Sequence, residues 1–214
     1  MIVNYFSKNW TTWRGFSYFG KTGIGAVYIC LHWVGGFIIN AIGSFQLLSK
    51  MVKSNGSSKL HKFTGRIYLV ANALTCAGGL LFIFQIRTAG GWQMDTSFTI
   101  YGLLMIFCGV KTWIYAGKNT QLHFEWALRL YSIGIGSMLY RIYVLPVYLS
   151  DEHNFPSQDD YYDWVSNYLI MASWFFYFPN LLVAEFVIQY NKMKDKASNA
   201  EQESLLYSTE EHED

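Results

Sequence analysis

Charge is the first scarcity in this sequence. Only 14% of the 214 residues are Asp, Glu, Lys or Arg, against about 25% in soluble domains. The 16 Lys and Arg nearly cancel the 15 Asp and Glu. No basic surplus is offered to nucleic acid, and no nucleic-acid partner is expected. Cysteine is scarce too. Cys30, Cys76 and Cys108 are odd in number and lie in apolar runs, which argues against a disulfide framework and reads as small buried hydrophobes. There is no CxxC spacing, GxGxxG turn or GxxxxGK[ST] loop, so zinc-ribbon, dinucleotide and P-loop readings fall away. No repeat of solenoid length is present. No Ser/His/Asp, paired-carboxylate or thiolate arrangement is specific enough to name a hydrolase.

What is abundant is apolar: 52% of the residues are hydrophobic and 19% aromatic. The few charges cluster, leaving apolar windows at roughly 23–49, 67–86, 96–115, 127–150 and 164–190. Each approaches or exceeds the ~20 residues that cross a ~30 Å hydrocarbon core as a helix. The expected fold is all-α, a polytopic transmembrane helical bundle of about five spans occupying 23–190 in a lipid bilayer. Residues 1–22 lack the apolar centre and small-residue cleavage site of a signal peptide. Aromatics there alternate with Lys8, Arg14 and Lys21, the pattern of a segment lying in the membrane interface. Residues 191–214 are polar and acidic and read as a disordered tail.

Basic residues divide unevenly between the two sides. Eleven (Lys50, Lys53, Lys59, Lys62, Arg66, Lys111, Lys118, Arg129, Lys192, Lys194 and Lys196) fall with the 50–66 loop, the 111–129 connection and the tail. Lys8, Arg14, Lys21 and Arg87 fall opposite, with the acidic stretch 151–163. The positive-inside rule then makes the first side and the C-terminus cytoplasmic and the N-terminus extracytoplasmic. A sequon at Asn9 and an acidic-dileucine pattern, "EQESLL", agree with this and point to a plasma or endolysosomal membrane.

Against this apolar background five positions stand out. His61 and His123 each sit at the cytoplasmic entrance of a span, the second and the fourth. Their rings are placed to act as ligands or proton acceptors. His61, Gly65, Tyr68, Asn72, Cys76 and Gly79 share one helical face, as do His123, Ala127, Leu130, Gly134 and Arg141. Small and polar faces of this kind meet other helices in preference to lipid. His32 and Arg141 each lie about nine residues from the outer end of a span, roughly 14 Å deep at 1.5 Å per residue. They are expected to meet, or to share a cavity. Glu185 lies nearer the cytoplasmic end of the fifth span. Pro146 and Pro179 are expected to break helices.

The stretches "LHWVGGFIINAIGSFQLL", "LHKFTGRIYL", "LHFEWALRLYSIGIGSMLYRIY" and "WFFYFPNLLVAEFVI" resemble the integral membrane family catalogued as domain of unknown function 2306. The resemblance covers roughly residues 28–190. It maps family positions onto His32, Gln46, His61, Gly65, Arg66, His123, Arg129, Arg141, Asn180 and Glu185. "HFEW" departs from the family's usual basic residue after the second histidine motif. The family implies a helical membrane bundle and no settled activity. A looser analogy joins the chain to transmembrane b-type cytochromes.

Three functions remain open. In the first, His61 and His123 ligate one b-type haem iron, Lys59, Lys62 and Arg66 pair with its propionates, and His32 with Arg141 forms a quinone site. Such a haem would need a planar slot, with Gly65 or Gly134 leaving room for the porphyrin edge. In the second, a transporter or lipid- or small-molecule-binding bundle uses a polar cavity of His32, Arg141, Asn180 and Glu185. In the third, the polar residues hold together a non-catalytic membrane scaffold.

Overall fold

A computed structural model describes residues 23–52, 59–88, 90–150 and 154–210. The proposed interfacial segment 1–22 and the sequon lie outside them. Among the described residues seven helices follow in order: α1 (Gly23–Val52), α2 (Lys59–Ile86), α3 (Gly91–Tyr115), α4 (Thr120–Tyr143), α5 (Leu145–Leu149), α6 (Gln158–Phe175) and α7 (Phe178–Glu210). No strand occurs among the described residues. Five helical stretches are long and apolar enough to cross a bilayer. Their outward faces carry large apolar side chains, among them Phe37, Phe84 and Phe186, which are 77%, 69% and 70% exposed. In water such surfaces would aggregate, whereas in a bilayer they face lipid.

Turn chemistry marks where each helix stops and starts. Gly91 and Gly117 adopt positive φ, 65° and 75°, a conformation costly for residues with a Cβ. Arg87 does so as well, at 76°, directly after α2. Buried Asp95 holds this turn together. Its carboxylate accepts from Thr88 N at 2.8 Å and pairs with Arg87 Nε at 3.2 Å. Asn119 caps α4 by accepting from Leu122 N at 2.9 Å. Ser157 caps α6 by accepting from Asp160 N at 3.1 Å, while its hydroxyl donates to Asp160 Oδ2 at 2.7 Å. Residues 158–163, expected in an acidic loop, are therefore the opening turns of a helix.

Pro146 and Pro179 interrupt helices as expected. Pro146 opens α5, so α4 ends at Tyr143. The fifth crossing is two helices, α6 and α7, joined through a turn at Phe176 and Tyr177 just before Pro179. The expectation of a disordered tail from residue 191 differs from the structure, which continues α7 to Glu210. Lys, Glu, Ala, Leu, Met and Gln make up twelve of its twenty residues, and all are good helix formers able to extend a helix nucleated in the membrane.

α1 packs mainly on α2, and α4 touches α1, α3, α5, α6 and α7. Close approach depends on glycine. A Cβ on Gly35 would lie 2.2 Å from Thr75 Oγ1, and one on Gly78 would lie 2.5 Å from the Tyr28 carbonyl. A Cβ on Gly136 of α4 would lie 2.5 Å from the Phe176 carbonyl. The centre is filled by Met105, Leu130 and Ile133, fully buried, with Phe176 against Tyr101 at 4.8 Å between ring centroids.

Candidate functional site

His61 and His123 converge. His61 is the third residue of α2 and His123 the fourth of α4, so two parallel helix starts bring both rings to one end of the bundle. Their ring centroids are 6.3 Å apart and their planes stand at 85°. His123 Nδ1 lies 2.9 Å from the Thr112 carbonyl. A carbonyl oxygen only accepts, so Nδ1 donates and a neutral His123 ring carries its lone pair on Nε2. That carbonyl is free because α3 is ending: Ala116 N turns instead to Trp113 O. The end of one helix thus orients the ligand atom of another, as second-sphere carbonyls do for metal-bound histidines.

The slot expected for a porphyrin beside Gly65 or Gly134 is filled. The Gln46 amide lies 3.2 Å from where a Gly65 Cβ would stand, and it donates to Thr64 Oγ1 at 3.0 Å and to the His61 carbonyl at 3.2 Å. Gly134 is covered by the Tyr68 hydroxyl at 3.4 Å and by Met105 at 3.5 Å. Arg66 is exposed near His61 on α2.

The same end holds an ionic network. Arg129 grips Glu185 with Nε and Nη2, the second contact at 2.9 Å. Its guanidinium lies over the Trp126 ring, 4.6 Å from the centroid. Buried Glu125 receives Lys192 Nζ at 2.9 Å and faces Arg129 at 3.9 Å. Glu185 is therefore a paired charge that ties α7 to α4. Part of this was legible. Glu125 and Arg129 are four residues apart, the spacing of a helical ion pair, whereas nothing local points to Lys192.

At the opposite end no hydrogen bond joins Arg141 to His32, although the two lie within electrostatic range of each other. Since α4 stops at Tyr143, Arg141 belongs to its last turn, not nine residues inside it. It is exposed and donates to the Ser137 carbonyl at 2.5 Å, as suits a cation at a helix C-terminus. His32 turns to α2, donating from Nδ1 to the Thr75 carbonyl at 3.1 Å. Gly79 makes room for that ring, since a Cβ there would lie 2.9 Å from His32 Nδ1. Asn180 donates to the Phe176 carbonyl at 2.9 Å and supports the break between α6 and α7. His32, Arg141, Asn180 and Glu185, expected around one polar cavity, thus each bond a different partner. Among the described residues no group of three or more His, Cys, Asp and Glu could hold a metal ion.

A family model described as "Predicted membrane protein (DUF2306)" matches residues 29–188. No curated protein and no solved structure matches the chain.

Proposed function

The chain belongs to the DUF2306 family of predicted membrane proteins, and from that premise we propose that it is a membrane redox protein whose His61 and His123 ligate one b-type haem iron. One observation carries the reading, the 6.3 Å between the two ring centroids. With Fe–N near 2.0 Å, and each nitrogen about 1.1 Å from its ring centre, two imidazoles on opposite sides of one iron have centroids about 6.2–6.3 Å apart. Two rings sharing a direct, collinear N–H···N bond of about 2.9 Å would be nearer 5.1 Å. The separation equals that of two imidazoles on one iron, and it falls within the roughly 4.5–7 Å that direct edge-to-face ring contacts also span.

Each residue has a part. The Thr112 carbonyl fixes the His123 tautomer and leaves the lone pair of the neutral ring on Nε2. Lys59, Lys62 and Arg66, all exposed at the start of α2, supply cations for propionates. A porphyrin beside Gly65 would require Gln46 to give up its hydrogen bonds to Thr64 Oγ1 and the His61 carbonyl. Bound haem would supply one-electron chemistry at this end of the bundle. A bare transition-metal ion between the same rings would leave Gln46 in place.

The test is a reduced-minus-oxidised spectrum, with metal analysis, of detergent-purified protein expressed with haem supplied. Wild type and His32→Ala are expected to show b-type absorption that His123→Ala lacks. Absence of the absorption in wild type, or its persistence in His123→Ala, overturns the haem. Stoichiometric metal without the absorption assigns the pair to a bare ion instead.

A further inference from the structure

Three helices bring unpaired polar atoms together around one turn of a fourth, α4, between Gly134 and Ser137. From α1, Asn40 Nδ2 donates to the Gly36 carbonyl at 2.8 Å and to Ser137 Oγ at 3.2 Å, while its Oδ1 is buried without a hydrogen-bond partner. From α2, the Tyr68 hydroxyl lies over Gly134, 3.4 Å from where a Cβ would stand, and is also unpaired. From α3, the Tyr101 hydroxyl approaches Ser137 Oγ without hydrogen-bond geometry. Tyr68 and Tyr101 are each only 6% exposed, and each lies within electrostatic range of the other. Thr75 Oγ1, likewise unpaired, is pressed against Gly35 and belongs to a different contact.

A dry core does not tolerate this arrangement. A buried polar atom without a partner is costly in any protein, and more so where the surrounding solvent is hydrocarbon. Three such atoms from three helices, facing one turn of a fourth, describe a site whose occupant the protein atoms do not supply. Its chemistry narrows the occupant. Asn40 Oδ1 only accepts, so the occupant must donate. The two phenols can each donate or accept, so it must also be able to accept. None of these groups is a carboxylate, and Arg141 stands one turn further along α4, which disfavours a cation. The acceptor on Asn40 disfavours an anion. A small neutral molecule with two donors and two acceptors fits, and water is that molecule.

We propose a buried water site between α1, α2, α3 and α4, in which bound water bridges Asn40 Oδ1 and the hydroxyls of Tyr68 and Tyr101 beside Gly134 and Ser137. The water joins α1 to the central helix through a polar contact that lipid cannot replace. Ser44 and Tyr131, whose hydroxyls are 3.2 Å apart, make a separate polar contact between α1 and α4. Tyr131, Gly134, Ser137 and Arg141 share one face of α4 over ten residues, about 15 Å of helix. The site does not depend on haem being bound.

Two measurements on the full chain in nanodiscs test it together. Millisecond X-ray hydroxyl-radical labelling reads water beside buried side chains, so Tyr68 and Tyr101 are expected to be modified despite their burial. The Tm of Tyr101→Phe and of Tyr68→Phe is expected to fall below wild type, because each loses a bridged hydroxyl. If either Tm rises or is unchanged, the hydroxyl was unbonded in a dry core and the proposal fails. A fall in Tm without labelling means that direct protein contacts replace the water, and the proposal fails in that case too.

Discussion

Arg129 makes the most specific side-chain contact at the histidine end. Its fork meets both oxygens of Glu185, its plane lies on Trp126, and Glu125 stands at 3.9 Å. Lysine would keep the charge but lose the planar fork and the stacking. Arg129→Lys is therefore expected to lower stability by about 1–3 kcal/mol, the scale of a charge-assisted hydrogen bond to a partly buried group. Glu185→Gln should cost less, because that carboxylate is 38% exposed and water screens the pair. Unfolding of the purified variants in detergent measures both, and equal stability of Arg129→Lys and wild type would refute the geometry. The sequence made Arg129 and Glu185 visible as ionisable residues near a membrane boundary, yet left their pairing open. Fifty-six positions separate them, and only the packing of α7 on α4 decides which charges meet. His61 and His123 were easier to place, since both start helices that run the same way. Arg141 was misplaced for a local reason: the apolar window continues past it, but Pro146 ends α4 sooner.

At the level of elements the bundle depends on how closely helix backbones approach. Gly136 and Gly36 make opposite expectations. On Gly136 a Cβ would stand 2.5 Å from a backbone carbonyl of the α6–α7 turn, and backbone cannot move aside as a side-chain end can. Gly136→Val is expected to separate α4 from that turn and to remove most folded protein from detergent extracts. On Gly36 a Cβ would meet nothing within 4 Å. Gly36→Ala should then stabilise α1 by up to about 1 kcal/mol through helix propensity alone. Size-exclusion profiles and thermal melts check both, and a well-folded Gly136→Val would contradict the close packing. Five apolar windows were enough to foresee five crossings, because length and hydropathy decide that a segment spans. They did not show that the fifth is two helices. Pro179 marked the place, but the turn at Phe176 and Tyr177 is fixed by tertiary contacts with Gly136 and Tyr101.

For the whole molecule the unsettled quantity is direction. The histidine pair, the Arg129 network and the emerging length of α7 lie at one end, while the Arg87–Asp95 turn and the start of α6 lie at the other. Eleven basic residues belong to the first side and, with Arg141 at the end of α4, five to the second. An odd number of crossings leaves the two ends of the membrane domain facing different compartments. We expect the histidine end to be cytoplasmic, since Lys and Arg near span ends resist translocation while acidic residues contribute little. Three of the five opposing bases precede the first span, and their number is too small to reverse the bias. Lys118 and Gln158 are exposed at opposite ends, so Lys118→Cys and Gln158→Cys report direction without disturbing the core. In intact cells a membrane-impermeant maleimide should modify the cysteine at 158 and reach that at 118 only after permeabilisation. The reverse pattern would put the histidine pair, and any electron entering through it, on the outer face. The reductant would then have to be extracytoplasmic. Labelling at 158 alone places the histidine pair, and the haem proposed for it, on the cytoplasmic side.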